Sequence, residues 1–331
     1  MTPGRPMRLL SVIVVSVSLI FPALGQQTGQ VNLESEPLQP LPQKLTLDPA
    51  KVSLGHDLFF DTRLSKDSSL SCGSCHDLKL GGADGKAVSK GMGGEMGEIN
   101  TPTVFNSGFN FVQFWDGRAE NLQSQMAGPI NNPAELGASW KSVIERLQAD
   151  SEYPERFEKI YGTGITQVTI QDAIATYERS LITPNARFDR FLNGNMNAIS
   201  KEEKEGYALF KSLGCSACHQ GRNVGGNMFQ KFGVMRDYFA QRGNVTKSDY
   251  GRFNVTGHEE DRYVFKVPSL RNIELTSPYF HDASVDTLDA AVEIMAYYQL
   301  GRRISTGDRK RLVAFLKSLT GEFQGKPLWQ R

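Results

Sequence analysis

All four cysteines of this chain fall in two copies of one motif, Cys72-Gly73-Ser74-Cys75-His76 and Cys215-Ser216-Ala217-Cys218-His219. C-x-x-C-H is the attachment signature of c-type haem. The chemistry needs that spacing. Two thiols three residues apart can add to the two vinyl groups of one porphyrin, and the adjacent histidine is then held under the iron as proximal ligand. Three other uses of C-x-x-C fit less well. A zinc ribbon sets its two pairs about 15–20 residues apart, whereas Cys75 and Cys215 lie 140 apart. A thioredoxin-like pair needs no following histidine, and two local disulfides would leave both histidines unexplained. The spacing therefore predicts two covalent haem c groups, on His76 and His219.

The N-terminus gives the compartment. Arg5 and Arg8 precede an apolar run, Leu9–Leu24, and Ala23-Leu24-Gly25 supplies small residues for a cleavage site. This is the pattern of a secretory signal peptide over residues 1–25. The run of about 16 residues is short of the roughly 20 a spanning helix needs. The expectation is an exported, periplasmic protein with no membrane attachment after cleavage. Without Arg5 and Arg8 the 37 basic residues become 35, against 36 acidic ones. That balance offers no electrostatic reason to bind nucleic acid or an anionic membrane.

The rest of the chain reads as mainly α. Residues 26–49, rich in Pro and Gln, read as an extended segment with little to pack. Thr169 with Asp172 suggests a capping box before a helix over 170–181, and Ser200 with Glu203 another. Apolar residues at helical spacing (Leu288, Ala291, Val292, Met295) predict one helix over 286–299. Leu312, Phe315, Leu316 and Leu319 predict another over 308–319. Gly81–Gly97 and Gly221–Gly226 read as loops. Two haem motifs suggest two haem domains, 50–184 and 185–331, divided near Thr183-Pro184-Asn185, where proline ends a helix.

Further motifs surround the haem sites: Leu58-Phe59-Phe60-Asp61-Thr62-Arg63-Leu64-Ser65, Gly81-Gly82-Ala83-Asp84, Thr101-Pro102-Thr103-Val104-Phe105-Asn106 and Phe114-Trp115-Asp116-Gly117-Arg118. Pro268-Ser269-Leu270-Arg271-Asn272, Pro278-Tyr279-Phe280-His281-Asp282 and Gln299-Leu300-Gly301 follow in the second half. On these the chain resembles the bacterial di-haem cytochrome c peroxidases, a group that includes the MauG-type enzymes. The resemblance implies two cytochrome c-like domains packed around a shared interface. It also implies a division of labour. The haem on His76 is peroxidatic; the haem on His219 receives electrons and carries Met295 as distal ligand, which raises its potential.

The same resemblance assigns Glu135 to proton transfer, Gln125 to orienting peroxide and Trp115 to bridging the haems. It places one Ca2+ on the Asn100 side chain and the carbonyls of Thr276 and Pro278, oxygen donors suited to a hard cation. The implied reaction reduces hydrogen peroxide to water with electrons from a small c-type cytochrome or cupredoxin, and a homodimer is an assembly the family often adopts. Two alternatives stand beside it: a MauG-type enzyme that oxidises residues of a partner protein, and a non-enzymatic di-haem electron carrier.

The chain departs from the family pattern at Met92, where a distal histidine is expected for the first haem. Either Met92 ligates that haem, or the site is open. A thioether binds ferric iron weakly, so the expectation is an easily displaced ligand or an open site. His56 and His258 read as solvated or structural, and His281 as ordering the region between the haems. Ala283 replaces a glycine common after the His-Asp pair, which suggests a small backbone adjustment.

Overall fold

The computed structural model describes residues 35–330, together with Met1 and Gly4. The signal-peptide expectation for residues 1–25 lies outside the described residues. Among the described residues no helix is long and apolar enough to cross a membrane. The fold is mainly α. Its strands form two short antiparallel pairs, Phe229–Lys231 with Val264–Lys266 and Glu322–Phe323 with Lys326–Pro327.

Two helix pairs carry the architecture, and in each a mid-helix glycine marks the crossing. Helix Pro49–Phe59 starts on Asp48, whose carboxylate accepts from the Ala50 amide at 2.8 Å, with proline at the first helical position. It crosses helix Gln167–Ser180 at Gly55, where a Cβ would fall 1.9 Å from the Ala173 carbonyl oxygen. Helix Lys201–Ser212 crosses Thr306–Lys317 in the same way at Gly206, where a Cβ would fall 2.0 Å from the Arg311 carbonyl oxygen. Glycine inside a helix costs ~1 kcal/mol against alanine. The close approach offsets that by burying an aromatic beside each crossing. Tyr177 packs on Phe59, and Phe315, fully buried, packs on Phe188, Tyr207 and Phe210.

Each pair has its own apolar core. The first gathers Leu54, Leu58, Phe105, Phe157 and Ile170; the second gathers Phe188, Tyr207, Leu312 and Phe315. The chain does not respect its own order in filling them. Leu38, from the N-terminal segment, is buried in the second core, and Phe323 and Leu328, near the C-terminus, are buried in the first. Residues 35–41 therefore pack far more than their composition suggests. Leu38 and Leu41 are buried, and Gln39 accepts a hydrogen bond from the Arg271 guanidinium at 2.8 Å.

The Ser200–Glu203 capping box forms as expected, with Glu203 accepting from the Ser200 amide at 2.7 Å. Two helix boundaries move. The 167–180 helix is capped by Thr166 with Thr169, not by Thr169 with Asp172, because the Asp172 side chain is taken by Lys51 and Tyr161. The expected helix 286–299 splits into an α-helix, Leu288–Ile294, and a π-turn, Met295–Gln299.

Candidate functional site

The two C-x-x-C-H segments fold alike. Each begins as a 3-10 turn (Cys72–Ser74 and Cys215–Ala217), and the histidine amide donates to the first cysteine's carbonyl at 3.0 Å in both. All four thiols are free. Burial pushes the Cys72 thiol up to about 12 and that of Cys215 up to about 11. That is the opposite of a thiolate metal ligand or redox nucleophile.

Burial likewise lowers the pKa of both histidines, His219 to about 4, so each ring is neutral at pH 7, as an iron ligand must be. The His76 Nδ1 lies 3.2 Å from the Gly82 carbonyl. Such a bond fixes the tautomer and leaves Nε2 for a metal. His219 lines an apolar cavity of about 270 Å3 together with Cys215, Cys218 and Met295. Next to it, a Cβ on Gly225 would fall 2.2 Å from the Pro268 carbonyl oxygen and 3.3 Å from His219 Nδ1, so only glycine lets the loop close over the ring. Two neutral imidazoles, two pairs of free thiols and a mostly apolar cavity fit covalently attached haem.

Met295 opens the π-turn. Such turns are frequent at functional sites, because the extra residue re-aims a side chain. Met295, Ala296, Gln299 and Leu300 line the cavity. Tyr297 and Tyr298 are occupied elsewhere: Arg236 covers the Tyr297 ring at 4.4 Å, and the Tyr298 hydroxyl donates to Gln241 at 2.8 Å.

Trp115 lines the same cavity, and its Nε1 donates to the Asn100 carbonyl at 2.9 Å. Asn100, Thr276 and Pro278, the three expected calcium donors, line it too. The Asn100 side-chain nitrogen donates to the carbonyls of Lys86 and Ala87.

His281 has a partner that sequence alone left unknown. Its Nε2 lies 2.8 Å from Asp249 in a buried pair, and its ring lies 6.3 Å from Trp115. Asp249, His281 and Asp282 lie close enough to suggest a metal site. The Arg242 guanidinium bonds both carboxylates, however, and supplies the positive charge a metal would. His56 and His258 are exposed, paired with Asp57 at 3.0 Å and near Glu260 at 3.8 Å.

Around the first motif two loops meet. The Met92 amide donates to the Glu135 carbonyl at 3.0 Å. Gly91 packs so tightly on the Ala134 carbonyl that a Cβ would fall 1.8 Å from its oxygen, and the Met92 methyl lies 3.3 Å from where a Cβ on Gly137 would be. Glu135 is half-buried, with one carboxylate oxygen accepting from Asn132 at 2.8 Å. It is close enough to both thiols of the first motif to act on their ionisation. Gln125 is half-buried at the end of helix Leu122–Gln125.

Three features escaped sequence analysis. The first is an internal repeat. Phe114-Trp115-Asp116-Gly117 and Phe280-His281-Asp282-Ala283 fold alike, with positive φ at Phe114 (67°), Phe280 (72°), Gly117 (68°) and Ala283 (53°). Trp115 and His281 are thus counterparts, legible in the spaced Phe-x-Asp-[Gly/Ala]. Ala283 keeps the left-handed conformation its counterpart Gly117 adopts, at a cost of about 1 kcal/mol. The second is the buried Arg271–Asp189 pair (2.6 Å), which ties the Pro268–Asn272 motif to helix Arg187–Leu192.

The third is Glu178. It is buried beside Cys72, its Oε2 has no hydrogen-bond partner among the described residues, and Arg179 donates to Gln123 at 2.8 Å. Burial pushes its pKa up to about 8 from 4.5. Below the unfolded value both states are protonated. Above it the folded state keeps a proton the unfolded state has lost, so stability falls by about 1.4 kcal/mol per pH unit until about pH 8. Glu178→Gln flattens that slope, measured as the thermal midpoint at pH 5 and pH 8. An unchanged slope in the variant would assign it to another group.

The family model "Di-haem cytochrome c peroxidase" matches residues 49–197. The chain is 46% identical to cytochrome c551 peroxidase of Nitrosomonas europaea, covering 95% of this chain and 92% of that protein. It is 48% identical to cytochrome c peroxidase Ccp of Escherichia coli over 87% of this chain, and spans 62% of that relative's length. Among solved structures, a MauG-like protein associated with microbial copper homeostasis superposes with a TM-score of 0.73 at 27% identity, over 93% of this chain and 96% of that one.

Proposed function

Because the chain belongs to the di-haem cytochrome c peroxidase family, we propose that it reduces hydrogen peroxide to water in the periplasm, using electrons from a small c-type cytochrome or cupredoxin. Each haem c is held in its own domain, 50–184 and 185–331. The two glycine-crossed helix pairs, each with its own core, support that division. Haem, when bound, supplies iron for peroxide and a route for electrons.

The chain's own residues supply the rest. H2O2 + 2 e− + 2 H+ gives two waters, so protons must be managed where the O–O bond breaks. Glu135 takes the proton from the nearer peroxide oxygen and returns it to the leaving one, while Gln125 orients peroxide by hydrogen bonding. The observation that carries this reading is the position of Glu135, joined through the Met92–Glu135 backbone bond to the loop beside the first C-x-x-C-H turn. On the other side, His219 and Met295 line one cavity and would hold the iron of a haem bound there, and Trp115, which lines the same cavity, would carry electrons onward. Asn100, Thr276 and Pro278, which line the same cavity, would hold the Ca2+.

Met92 rests its methyl on the Gly137 turn, which supports an open first site. Peroxide consumption with a reduced small cytochrome c is expected to be rapid, and equal from fully oxidised and half-reduced enzyme. An oxidised enzyme that is wholly low-spin and inert until half-reduced would show that Met92 locks the iron. No turnover from either state would overturn the peroxidase reading in favour of a partner-oxidising enzyme or a closed electron carrier.

A further inference from the structure

Among the described residues, the cavity that takes the second haem is lined by two lysines, Lys231 and Lys266, and by no aspartate or glutamate. Lys231 is exposed and needs no partner. Lys266 is only 8% exposed. Burial lowers its ammonium to about 8, and among the described residues no carboxylate opposes the fall. A buried ammonium without a counter-charge is costly, and chains keep one where a ligand brings the anion. The strand Val264–Lys266 holds it in place. Lys266 pairs with Phe229, and its amide donates to the Trp115 carbonyl at 2.8 Å.

We propose that Lys266 is the counter-ion for a propionate carboxylate of the porphyrin carried by Cys215 and Cys218, and that it raises the reduction potential of that centre. The inference rests on the reading that haem c occupies this cavity. Porphyrin carboxylates are the anions such a group would bring into an apolar pocket with no acid of its own. Left unpaired, their negative charge favours ferric iron. Neutralised by Lys266, they favour it less, and the potential rises. Lys266 is a positioning residue here, acting on the iron through the carboxylate it binds.

The test is a redox titration of the holoprotein carrying Lys266→Gln or Lys266→Arg, with covalent haem counted first. Lys266→Gln should lower the potential of the His219 centre so that its ferrous-to-ferric ratio at fixed solution potential falls about tenfold, about 59 mV for one electron. The His76 centre should not move, and Lys266→Arg should restore the wild-type value. An unchanged His219 potential in a Lys266→Gln protein with two haems overturns the proposal. If Lys266→Gln does not fold, Lys266→Met keeps the apolar stem, and the same two outcomes decide. One haem per chain in the wild type would instead sink the underlying haem reading, a failure the count distinguishes.

Discussion

Glu135→Gln should leave both haems covalently attached and cut peroxide turnover by roughly 10²–10⁴-fold, the range over which a positioned proton carrier contributes. The substitution is conservative in shape. Asn132 donates to one carboxylate oxygen at 2.8 Å, and glutamine keeps an oxygen for that bond. The backbone carbonyl that accepts from Met92 is untouched. What disappears is the group that can take up and return a proton. Steady-state peroxide consumption, beside a count of covalent haem, measures this. Full turnover in the variant would remove Glu135 from the reaction.

Met295→Leu should have an effect of similar size by another route. It takes the thioether from the cavity that His219 lines while keeping an apolar side chain of similar volume. Axial ligands spread haem potentials over about 0.8 V, and methionine opposite histidine lies toward the high end. The His219 centre should therefore fall far enough that a small cytochrome no longer reduces it, with turnover lost at electron entry while the His76 site is intact. Tyr297 and Tyr298 cannot readily substitute, since Arg236 and Gln241 hold them away. A redox titration reads the outcome, and an unchanged potential would show that Met295 is a packing residue.

These two predictions differ in how far sequence alone supports them. Met295 sits at helical spacing with Leu288, Ala291 and Val292, so periodicity alone calls it a core residue. The π-turn that begins at Met295 interrupts that periodicity, and it is closed by the Leu300 amide donating to the Met295 carbonyl at 3.3 Å and the Arg302 amide donating to the Ala296 carbonyl at 2.8 Å. Glu135 carries no local signal at all. Its place depends on a loop pairing with residues 43 positions earlier, made possible by Gly91 and Gly137.

Caps show the same divide. Ser200 and Glu203 satisfy each other within one turn, so their box was legible. Asp172 matched the same local pattern, but its carboxylate went to Lys51, 121 residues away. A local rule holds where its partners are local.

The haem c attachment motifs and the mainly α character of this protein are legible in the chain without its fold. Cysteine spacing and apolar periodicity are properties of neighbours along the chain, and the covalent fit of C-x-x-C-H to a porphyrin needs nothing else. Tertiary packing makes Gly55 and Gly206 crossing points, pairs His281 with Asp249, and buries Glu178 and Lys266 where, among the described residues, neither forms an ion pair. Each of those depends on which distant backbone or charge comes within a few ångströms, and burial, which sets the cost of an unpaired charge, exists only once the chain has packed.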